Sequence, residues 1–435
     1  MKHFFKPKTC ALIGATNKKA SVGRALSLNL LNSQTRSYFI NPNHNNILGK
    51  KCFNSFTEIK EEIDLVIVAV PAKVVLKVAK DISKKGTKGV IIISAGFAEV
   101  GEIEKQERLK NIFKKSNINF IGPNSLGVIT PSIFNGSFAP FEPLKGEVAF
   151  ISQSGALIDS VIDQSLLKGY GFSHLVSYGN GADLGAPDFL EYLDNDKNTK
   201  SIAIYLESLK NGRRFIKKAK KIKTPIVVLK GGKTKEGSKA ASSHTGSLAG
   251  KPEIYSAGFK KAGVFEVDRV DDLFVVAEAL AFSPKFRGGV GLVTNGGAVA
   301  VLLSDWFSKM GLSFSKISPE SKRKLNGFLN KAANIKNPLD ILGDALTKTY
   351  EKSCRIMLNE SDALAILQTP QMMTNIKENA KMIVSLKKEF PKKTIVVGFI
   401  GGQETKKGVE ILKKGKVPCF LSPYKVALAL KALKE

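Results

Sequence analysis

Residues 9–26 read TCALIGATNKKASVGRAL, and this stretch decides the fold class that the sequence predicts. The apolar residues 9–13 predict a short buried strand that ends at Gly14, and residues 22–26 predict the beginning of an amphipathic helix. A strand, a glycine turn and a helix in this order offer backbone N–H groups and the helix dipole to a pyrophosphate. The spacing from Gly14 to Gly23 does not fit the G-x-G-x-x-G fingerprint of NAD-binding proteins, so the sequence disfavours hydride transfer.

The same alternation of strands and helices continues to about residue 140. Four more apolar strands each end in a small or turn-forming residue, and they lie at residues 38–40, 65–70, 90–94 and 120–121. Strands that alternate with helices predict a parallel sheet, which binds its ligand at the carboxyl ends of the strands. We therefore predict a mononucleotide-binding domain over residues 1–140.

A second alternating unit follows a linker at residues 138–146, and two of its predicted strands run into turns of small residues. These turns are Ser154-Gly155-Ala156, after the strand at residues 148–152, and Gly179-Asn180-Gly181, after the strand at residues 175–178. The first turn begins a helix whose backbone amides would suit an anion, but simple N-capping by Ser154 has the same signature. A third unit opens at residues 290–294 with another strand and glycine turn. We predict an α/β protein with domains at residues 1–140, 146–284 and 288–435.

Residues 239–250 read KAASSHTGSLAG and form a predicted loop around His244, one of only four histidines. Small residues and glycines leave the imidazole accessible, and a neutral imidazole can attack phosphorus or a carbonyl carbon. His244 is therefore a candidate covalent carrier; the alternative is an exposed loop histidine without a function. Glu207 follows the predicted strand at residues 202–206, where its carboxylate would either hold a histidine N–H or cap the helix near Gly212.

The chain has a formal net charge of +29, from 67 lysines and arginines against 38 aspartates and glutamates. Three explanations compete: nucleic-acid binding, attraction of small polyanionic ligands, and a genome that favours lysine codons. The lysines recur on the polar sides of predicted helices, as at residues 217–223, without a basic tail or interleaved aromatic residues. We interpret them mainly as solvated helix faces and expect no nucleic-acid partner.

Composition also bounds the location of the protein. No apolar run approaches the roughly 20 residues that span a bilayer, and residues 1–8 lack the pattern of a secretory signal. The four cysteines, at positions 10, 52, 354 and 419, show no metal-like spacing, which fits reduced thiols. We expect a cytoplasmic protein with no membrane segment and no metal site of its own.

Four motifs together resemble the α subunit of ADP-forming acetyl-CoA synthetase, a family within the succinyl-CoA synthetase superfamily. They are SHTGSLAG at residues 243–250, GPNSLG at 122–127, SQSGA at 152–156 and NPLDILGDA at 337–345. The resemblance extends over essentially the whole chain. It implies a Rossmann-like CoA-binding domain followed by two flavodoxin-like parallel-sheet domains.

The resemblance implies a reaction cycle with a phosphohistidine. Inorganic phosphate attacks an acyl-CoA thioester, giving acyl phosphate and free CoA. His244 then takes the phosphoryl group and releases the carboxylic acid, and the phosphohistidine passes the group to ADP, which becomes ATP. By the same resemblance Glu207 orients and polarises His244.

The resemblance also assigns the remaining site residues. The turn Ser154-Gly155-Ala156 would hold the phosphoryl group, and Gly179-Asn180-Gly181 would lie near the thioester. Residues of the first domain would bind CoA: Gly14, Thr16, Val22, Val70, Pro71, Ser94, Ala95, Gly96 and Asn124. The chain departs from the family pattern at a few positions, with Asn43 and His44 where relatives often carry a basic residue, and Ser125 where many carry cysteine.

The nucleotide-grasping domains of relatives have no counterpart in these 435 residues. The resemblance therefore implies a separate nucleotide-grasp β subunit, which would hold ADP or ATP with Mg²⁺, in an α2β2 heterotetramer. A second hypothesis is a regulatory subunit that binds CoA or acyl-CoA without turnover. The presence of both His244 and Glu207 disfavours this alternative, because a site without turnover needs neither.

Overall fold

Three mostly parallel β-sheets organise the part of the chain that the structure describes. The computed structural model describes residues 1–245 and 250–435, with the backbone alone for residues 242–245. Two sheets belong to one compact unit, Met1–Asp268, and the third belongs to a second unit, Arg269–Glu435. The predicted α/β class is confirmed, while the domain boundaries given above remain predictions.

The first sheet has the strand order β3-β4-β2-β1-β5-β6-β7. Its strands are β1 (Thr9–Ile13), β2 (Arg36–Ile40), β3 (Asn46–Ile47), β4 (Lys50–Phe53), β5 (Leu65–Val68), β6 (Gly89–Ile92) and β7 (Asn119–Ile121). The helices are α1 (Lys2–Phe5), α2 (Val22–Leu31), α3 (Ala72–Lys85) and α4 (Ile103–Lys115), with short 3₁₀ helices at Phe56–Glu58 and Ala98–Val100. Strands β2 and β5 pair with opposite edges of β1, so the strand order reverses there and leaves a crevice at the carboxyl ends of β1 and β5.

The central strands of this sheet are apolar because helices cover parallel sheets on both faces. All four residues of β5, with the sequence LVIV, are fully buried. Helix α3 buries Val75, Ala79 and Ile82, whose spacing of four and three residues places them on one helix face. Val75 and Ile82 each contribute roughly 1.5–3 kcal/mol when fully buried, and the smaller Ala79 contributes less.

The second sheet has the order β14-β13-β12-β10-β11-β8-β9. Its strands are β8 (Gly127–Thr130), β9 (Phe134–Ser137), β10 (Lys145–Ser152), β11 (Phe172–Ser177), β12 (Ser201–Leu206), β13 (Ile226–Lys230) and β14 (Phe265–Val267). The helices are α5 (Gly155–Lys168), α6 (Ala186–Asn195), α7 (Gly212–Ala219), α8 (Lys235–Thr245) and α9 (Pro252–Ala262). The order reverses at β10, which pairs with β11 on one edge and β12 on the other. The sequence did not predict the hairpin of β8 and β9, which extends this sheet through an antiparallel pairing with β11.

The third sheet has the order β16-β17-β15-β18-β19-β20. Its strands are β15 (Val290–Thr294), β16 (Asn334–Ile335), β17 (Leu339–Asp340), β18 (Ala363–Gln368), β19 (Thr394–Phe399) and β20 (Cys419–Phe420). The helices are α10 (Val270–Phe282), α11 (Gly297–Met310), α12 (Pro319–Asn326), α13 (Thr347–Glu360), α14 (Ile376–Glu389), α15 (Lys406–Lys414) and α16 (Pro423–Leu433). Helix α16 binds its neighbours through Tyr424, which packs on Trp306 of α11 and donates a 2.7 Å hydrogen bond to Asp272 of α10.

Three features bear on the class of protein. Across residues 1–245 and 250–435, no helix is both long and apolar enough to cross a lipid bilayer. All four cysteines are buried as free thiols. Within the same described ranges, no group of three or more His, Cys, Asp or Glu side chains is arranged to hold a metal ion.

Gly14 should be far less tolerant of substitution than Gly86, although both have a positive φ, of 100° and 85° respectively. A Cβ at Gly14 would lie 2.2 Å from the carbonyl oxygen of Ala69, whereas a Cβ at Gly86 would meet nothing within 4 Å. We expect Gly86→Ala to lower the free energy of unfolding by about 1–2 kcal/mol and Gly14→Ala by about 2–5 kcal/mol. Urea unfolding followed by circular dichroism measures both, and equal losses would show that the contact with Ala69 is unimportant.

Candidate functional site

The turn after β1, which borders the crevice of the first sheet, packs very closely against the start of α2. A Cβ at Gly23 would lie 2.1 Å from the carbonyl oxygen of Gly14, so helix α2 begins almost in contact with that turn. Thr16 and Val22, both predicted to bind CoA, lie on this turn and at the first position of α2. The Thr16 hydroxyl oxygen accepts a 3.2 Å hydrogen bond from the Lys18 amide and lies 3.5 Å from Nε2 of His44. The turn and the helix N-terminus therefore face the crevice together.

The ends of β5 and β6 are joined by Ser94. Its Oγ donates a 2.6 Å hydrogen bond to the Val70 carbonyl and accepts a 3.2 Å hydrogen bond from the Val70 amide. Pro71 is exposed and caps α3, and Ala95 is exposed beside Ser94. The structure thus gathers these predicted residues at the carboxyl edge of the sheet, next to the turn of Gly14.

Gly96 and Asn124 lie at the same edge. Gly96 has a φ of 99°, and a Cβ there would lie 2.8 Å from Cβ of Ala72, the first residue of α3. Asn124 has a φ of 58°, and its amide donates a 3.0 Å hydrogen bond to the Ser94 carbonyl. All nine residues predicted to bind CoA therefore lie on turns or helix starts that follow β1, β5, β6 and β7.

The predicted thioester turn, residues 179–181, packs directly on the turn after β7. A Cβ at Gly179 would lie 2.3 Å from the Asn124 carbonyl oxygen, and the Asn180 amide donates a 3.0 Å hydrogen bond to the Pro123 carbonyl. The Asn124 side-chain amide lies 3.4 Å from Oδ1 of Asn180. The structure thus joins two predicted sites that lie on different sheets.

Glu99, which the sequence did not single out, links the same two turns. Its Oε1 accepts hydrogen bonds from the amides of Gly96 and Phe97, and its Oε2 accepts one from the Asn180 side chain. The Asn180 side chain also donates to Gln106, at 3.0 Å. Burial acts to raise the pKa of Glu99, but these hydrogen bonds outweigh it and lower the pKa below its ordinary value. A carboxylate therefore fixes the Gly96 turn against the thioester turn.

Glu207 lies at the carboxyl edge of the second sheet, where the strand order reverses. It directly follows β12 and is only 7% exposed. Oε1 of Gln153, which directly follows β10, accepts hydrogen bonds of 2.9 and 3.1 Å from the amides of Glu207 and Ser208. The Tyr205 hydroxyl donates a 3.2 Å hydrogen bond to Oε1 of Glu207. Asn211, not Glu207, caps α7, so the capping alternative for Glu207 is wrong.

The predicted phosphoryl-binding turn begins helix α5 beside Gln153. The Ser154 hydroxyl caps the helix by accepting a 3.3 Å hydrogen bond from the Leu157 amide. A Cβ at Gly155 would lie 2.9 Å from Cβ of Leu126, so this position accepts only a very small residue. Ala156 is exposed in the first turn, where backbone N–H groups have no acceptor within the helix. The two interpretations of this turn are therefore compatible: Ser154 caps the helix, and the first turn of the helix remains exposed.

Lys230 is a second residue that sequence reasoning missed. It ends β13, pairs in register with Leu206 and is 3% exposed. Its ammonium donates to the Gly231 carbonyl and lies 4.8 Å from the centre of the Tyr255 ring. Burial lowers the pKa of Lys230, and the charge of Glu207 acts to raise it. The available signal was a lysine that directly follows the apolar run IVVL at the end of a strand.

His244 lies in α8, so the predicted loop is wrong for residues 239–245. In the run KEGSKAASSHT the alanines, the lysines and Glu236 favour a helix, and no proline interrupts it. The backbone of α8 lies near the short helix Ala98–Val100, which carries Glu99. The side chains of residues 242–245 and the whole of residues 246–249 lie outside the described part, so the geometry of the His244 imidazole is not described.

Three family models match consecutive parts of the chain. They are the CoA binding domain at residues 8–131, the succinyl-CoA ligase like flavodoxin domain at residues 145–280 and the ligase-CoA domain at residues 290–434. Together they agree with the predicted succession of a CoA-binding and two ligase domains.

Two relatives match this chain over nearly its whole length. The α subunit of ADP-forming acetate–CoA ligase II of Pyrococcus furiosus is 37% identical to this chain, with 99% of this chain and 96% of that protein covered. The chain belongs to the ADP-forming acetyl-CoA synthetase family. The ADP-forming acetate–CoA ligase of Methanocaldococcus jannaschii is 40% identical, but the chain spans only 63% of its length.

Among solved structures of the acetyl-CoA synthetase family, one from Ca. Korarchaeum cryptofilum superposes on 99% of this chain. It is a dinucleotide-forming acetyl-coenzyme A synthetase 1 in complex with phosphate and ADP, with a TM-score of 0.93 and 35% sequence identity. The superposition covers 96% of that chain, so both proteins share the α/β fold.

Glu99 should make the stability of the first unit depend on pH. Because its pKa is lowered by folding, its contacts stabilise the protein above the ordinary pKa of 4.5, and this stabilisation is lost as the pH falls through the lower folded value. We expect the melting temperature of the wild type to fall more between about pH 6 and pH 3 than that of Glu99→Gln. Glu102→Gln, which changes an exposed glutamate nearby, is the control; identical pH profiles for all three proteins would exclude this role.

Proposed function

We propose that this chain is the CoA-binding and phosphohistidine-bearing part of an ADP-forming acid:CoA ligase. The enzyme interconverts acyl-CoA, ADP and phosphate with a carboxylic acid, ATP and CoA. The observation that carries the proposal is the direct contact between two turns: residues 122–124 at the CoA crevice and residues 179–181 beside the second sheet. This contact supports chemistry in which a CoA thioester is cleaved within reach of the second domain.

The crevice of the first sheet suits the phosphates of CoA. It combines the glycine turn at Gly14, the N-terminus of α2 beginning at Val22 and the turns after β5, β6 and β7. Backbone N–H groups at such a switch point bind pyrophosphate without a charged side chain. CoA bound there would direct its thioester toward Asn180.

In the first step inorganic phosphate attacks the thioester carbonyl carbon. A carbon–oxygen bond forms, the carbon–sulfur bond breaks, and the products are acyl phosphate and the thiolate of CoA, which takes up a proton. The turn at residues 179–181 would hold the thioester, and Asn180 is fixed for this role by its hydrogen bonds to Glu99 and Gln106.

In the second step an imidazole nitrogen of His244 attacks the phosphorus of the acyl phosphate. The phosphorus–oxygen bond to the acyl group breaks, and the carboxylate leaves. The buried carboxylate of Glu207 would orient the imidazole and stabilise its positive charge, as a carboxylate does beside other catalytic histidines. The first turn of α5 at Ser154, Gly155 and Ala156 would hold the phosphoryl oxygens, and the ammonium of Lys230 would offset their charge.

In the third step the phosphohistidine transfers its phosphoryl group to ADP, and ATP and free His244 result. A nucleotide-grasp partner would hold ADP together with Mg²⁺, which offsets the charge of the phosphates. We propose that the partner is a separate β subunit in an α2β2 heterotetramer, on the pattern of the Pyrococcus furiosus relative named as an α subunit. The alternative arrangement is that the nucleotide-grasp partner and this chain are parts of one longer polypeptide, because this chain spans 63% of the Methanocaldococcus jannaschii relative.

His244→Ala should abolish both ATP formation and phosphorylation of the chain. Incubation with acyl-CoA, phosphate, Mg·ADP and the nucleotide-grasp partner should give ATP when the chain is wild type but not when it is His244→Ala. Mass spectrometry should find an acid-labile phosphate on His244 of the wild type. Lys239→Ala, which changes an exposed residue of the same helix, should retain both signals. Normal turnover by His244→Ala would refute the assigned nucleophile.

Glu207→Gln should slow phosphohistidine formation by roughly 100-fold or more, with the KM for CoA unchanged, because the variant removes the charge but nearly preserves the shape. Tyr205→Phe removes only the hydroxyl that donates to Glu207 and should have a much smaller effect. Rapid-quench measurements with acyl phosphate compare the three proteins. Equal rates for Glu207→Gln and the wild type would exclude the orienting role.

A further inference from the structure

A cavity of about 200 Å³ adjoins the proposed reaction site within the first unit. Its lining includes Gln153, which holds the backbone of Glu207, and also the thioester turn at Asn180 and Gly181. The cavity therefore lies between Gln153, which holds the Glu207 backbone, and the turn proposed to hold the thioester. Its remaining walls come from α4, from the segment before α6 and the first turn of α6, and from the segment after Glu207 together with α7.

The two carboxylates that line this cavity are already engaged by the protein. Asp188 forms an ion pair with Arg214 and accepts a 3.0 Å hydrogen bond from the Gly185 amide. Asp183 accepts hydrogen bonds of 2.9 and 3.3 Å from the Phe120 amide and the Asn119 side chain. Arg214 therefore offsets the charge of Asp188, whereas Asp183 is held by neutral hydrogen-bond donors.

Two lysines of the lining, Lys110 and Lys210, have no such compensation. The ammonium of Lys210 donates a 3.0 Å hydrogen bond to the Gly181 carbonyl, which brings the charge to the thioester turn. Among the residues that the structure describes, neither lysine forms an ion pair with a carboxylate. The lining holds Lys110, Lys210 and Arg214 against Asp183 and Asp188, so its net charge is positive, which favours an anion.

The pKa of Lys210 depends in part on the charge of its neighbour Lys110. Its side chain is exposed at the cavity mouth, yet the surrounding protein lowers its pKa, mainly through burial of the ammonium and then through the like charge of Lys110, while Glu107 raises it. An anion between the two lysines would relieve their repulsion. A small oxyanion therefore has an electrostatic reason to bind at this position.

One wall of the cavity is apolar, whereas Gln153, Asn180, Ser208 and Asn211 make the other part of the lining polar. Ala182 and Ala186 are 5% and 1% exposed, and Tyr178 and Pro187 are buried beside them. Pockets for drug-sized ligands measure roughly 300–1,000 Å³, so this cavity suits a smaller molecule. Apolar walls next to a cationic end match a short hydrocarbon chain that ends in a carboxylate.

We infer that this cavity binds the carboxylic acid substrate, with the carboxylate at Lys210 and Lys110 and the hydrocarbon part against Ala182 and Ala186. The inference rests on the proposed ligase function and names the acid-binding part of that site. Lys210 then positions the carboxylate beside the thioester turn, and the two alanines limit the size of the acid.

Steady-state kinetics of acyl-CoA synthesis with the nucleotide-grasp partner test the role of Lys210. Lys210→Gln should raise the KM for acetate about ten-fold or more and leave the KM values for CoA and ATP unchanged, because it removes a charged hydrogen-bond donor. Lys217→Gln removes the same charge from an exposed position of α7 outside the cavity and should change nothing. An unchanged KM for acetate, or an equal rise for CoA, would overturn the inference. In the reverse direction, a rise in the KM for phosphate alone would make the cavity a phosphate site and would also overturn it.

The size limit is tested with acetate, isobutyrate and phenylacetate. Ala186→Val and, separately, Ala182→Val should lower kcat/KM more for the larger acids than for acetate, while melting temperatures show that the variants fold. Equal effects on all acids would contradict the assignment. If the wild type converts no acid at all, the proposed function fails; NMR line broadening of ¹³C-acetate by wild type and Lys210→Gln then tests the cavity itself, and identical broadening would overturn it.

Discussion

The contact between the backbone of Gly179 and the turn at residues 122–124 is the constraint on which the site depends. Any side chain at Gly179 would collide with the Asn124 and Pro123 carbonyl oxygens, so the two turns approach as closely as two backbones can. Each turn ends a strand of a different sheet. Their contact brings the carboxyl edges of two parallel sheets together, and both edges are places where such sheets bind ligands.

A backbone contact of this kind fixes position but carries no charge, and the side chains around it provide the chemistry. Glu99 holds one side of the contact through two backbone amides and the Asn180 side chain. Gln153 has the same function in the second sheet, where a single carbonyl oxygen accepts from two consecutive amides after β12. Both residues orient groups proposed to touch substrate, although neither needs to touch it.

The sequence predicted the turns better than the residues that connect them. Gly14, Gly96 and Gly179 were recognisable because each ends an apolar strand and therefore marks a ligand-facing edge. Glu99 and Gln106 were not recognisable, because their partner Asn180 lies 81 and 74 residues away in the sequence. The hairpin of β8 and β9 was missed for a related reason: its short strands, GVIT and FNGS, contain glycine, asparagine and serine, and β8 joins the sheet by pairing with β11, which is distant in the sequence.

Most of the positive charge of the chain lies on solvated helix faces and has little influence on Glu207 and Lys230. Charges on solvated helix faces are screened over about 10 Å at moderate ionic strength, and lysines at the ends of exposed side chains have the strongest screening. Glu207 and Lys230 differ because both are almost fully buried, where the lower dielectric constant strengthens each interaction and makes an uncompensated charge costly. A phosphohistidine formed near these two residues, as proposed, would meet one group of each sign. The Glu207 carboxylate would favour a cationic imidazole, and the Lys230 ammonium would favour the phosphoryl oxygens. Glu207 and Lys230 together therefore suit a bond between an imidazole nitrogen and phosphorus.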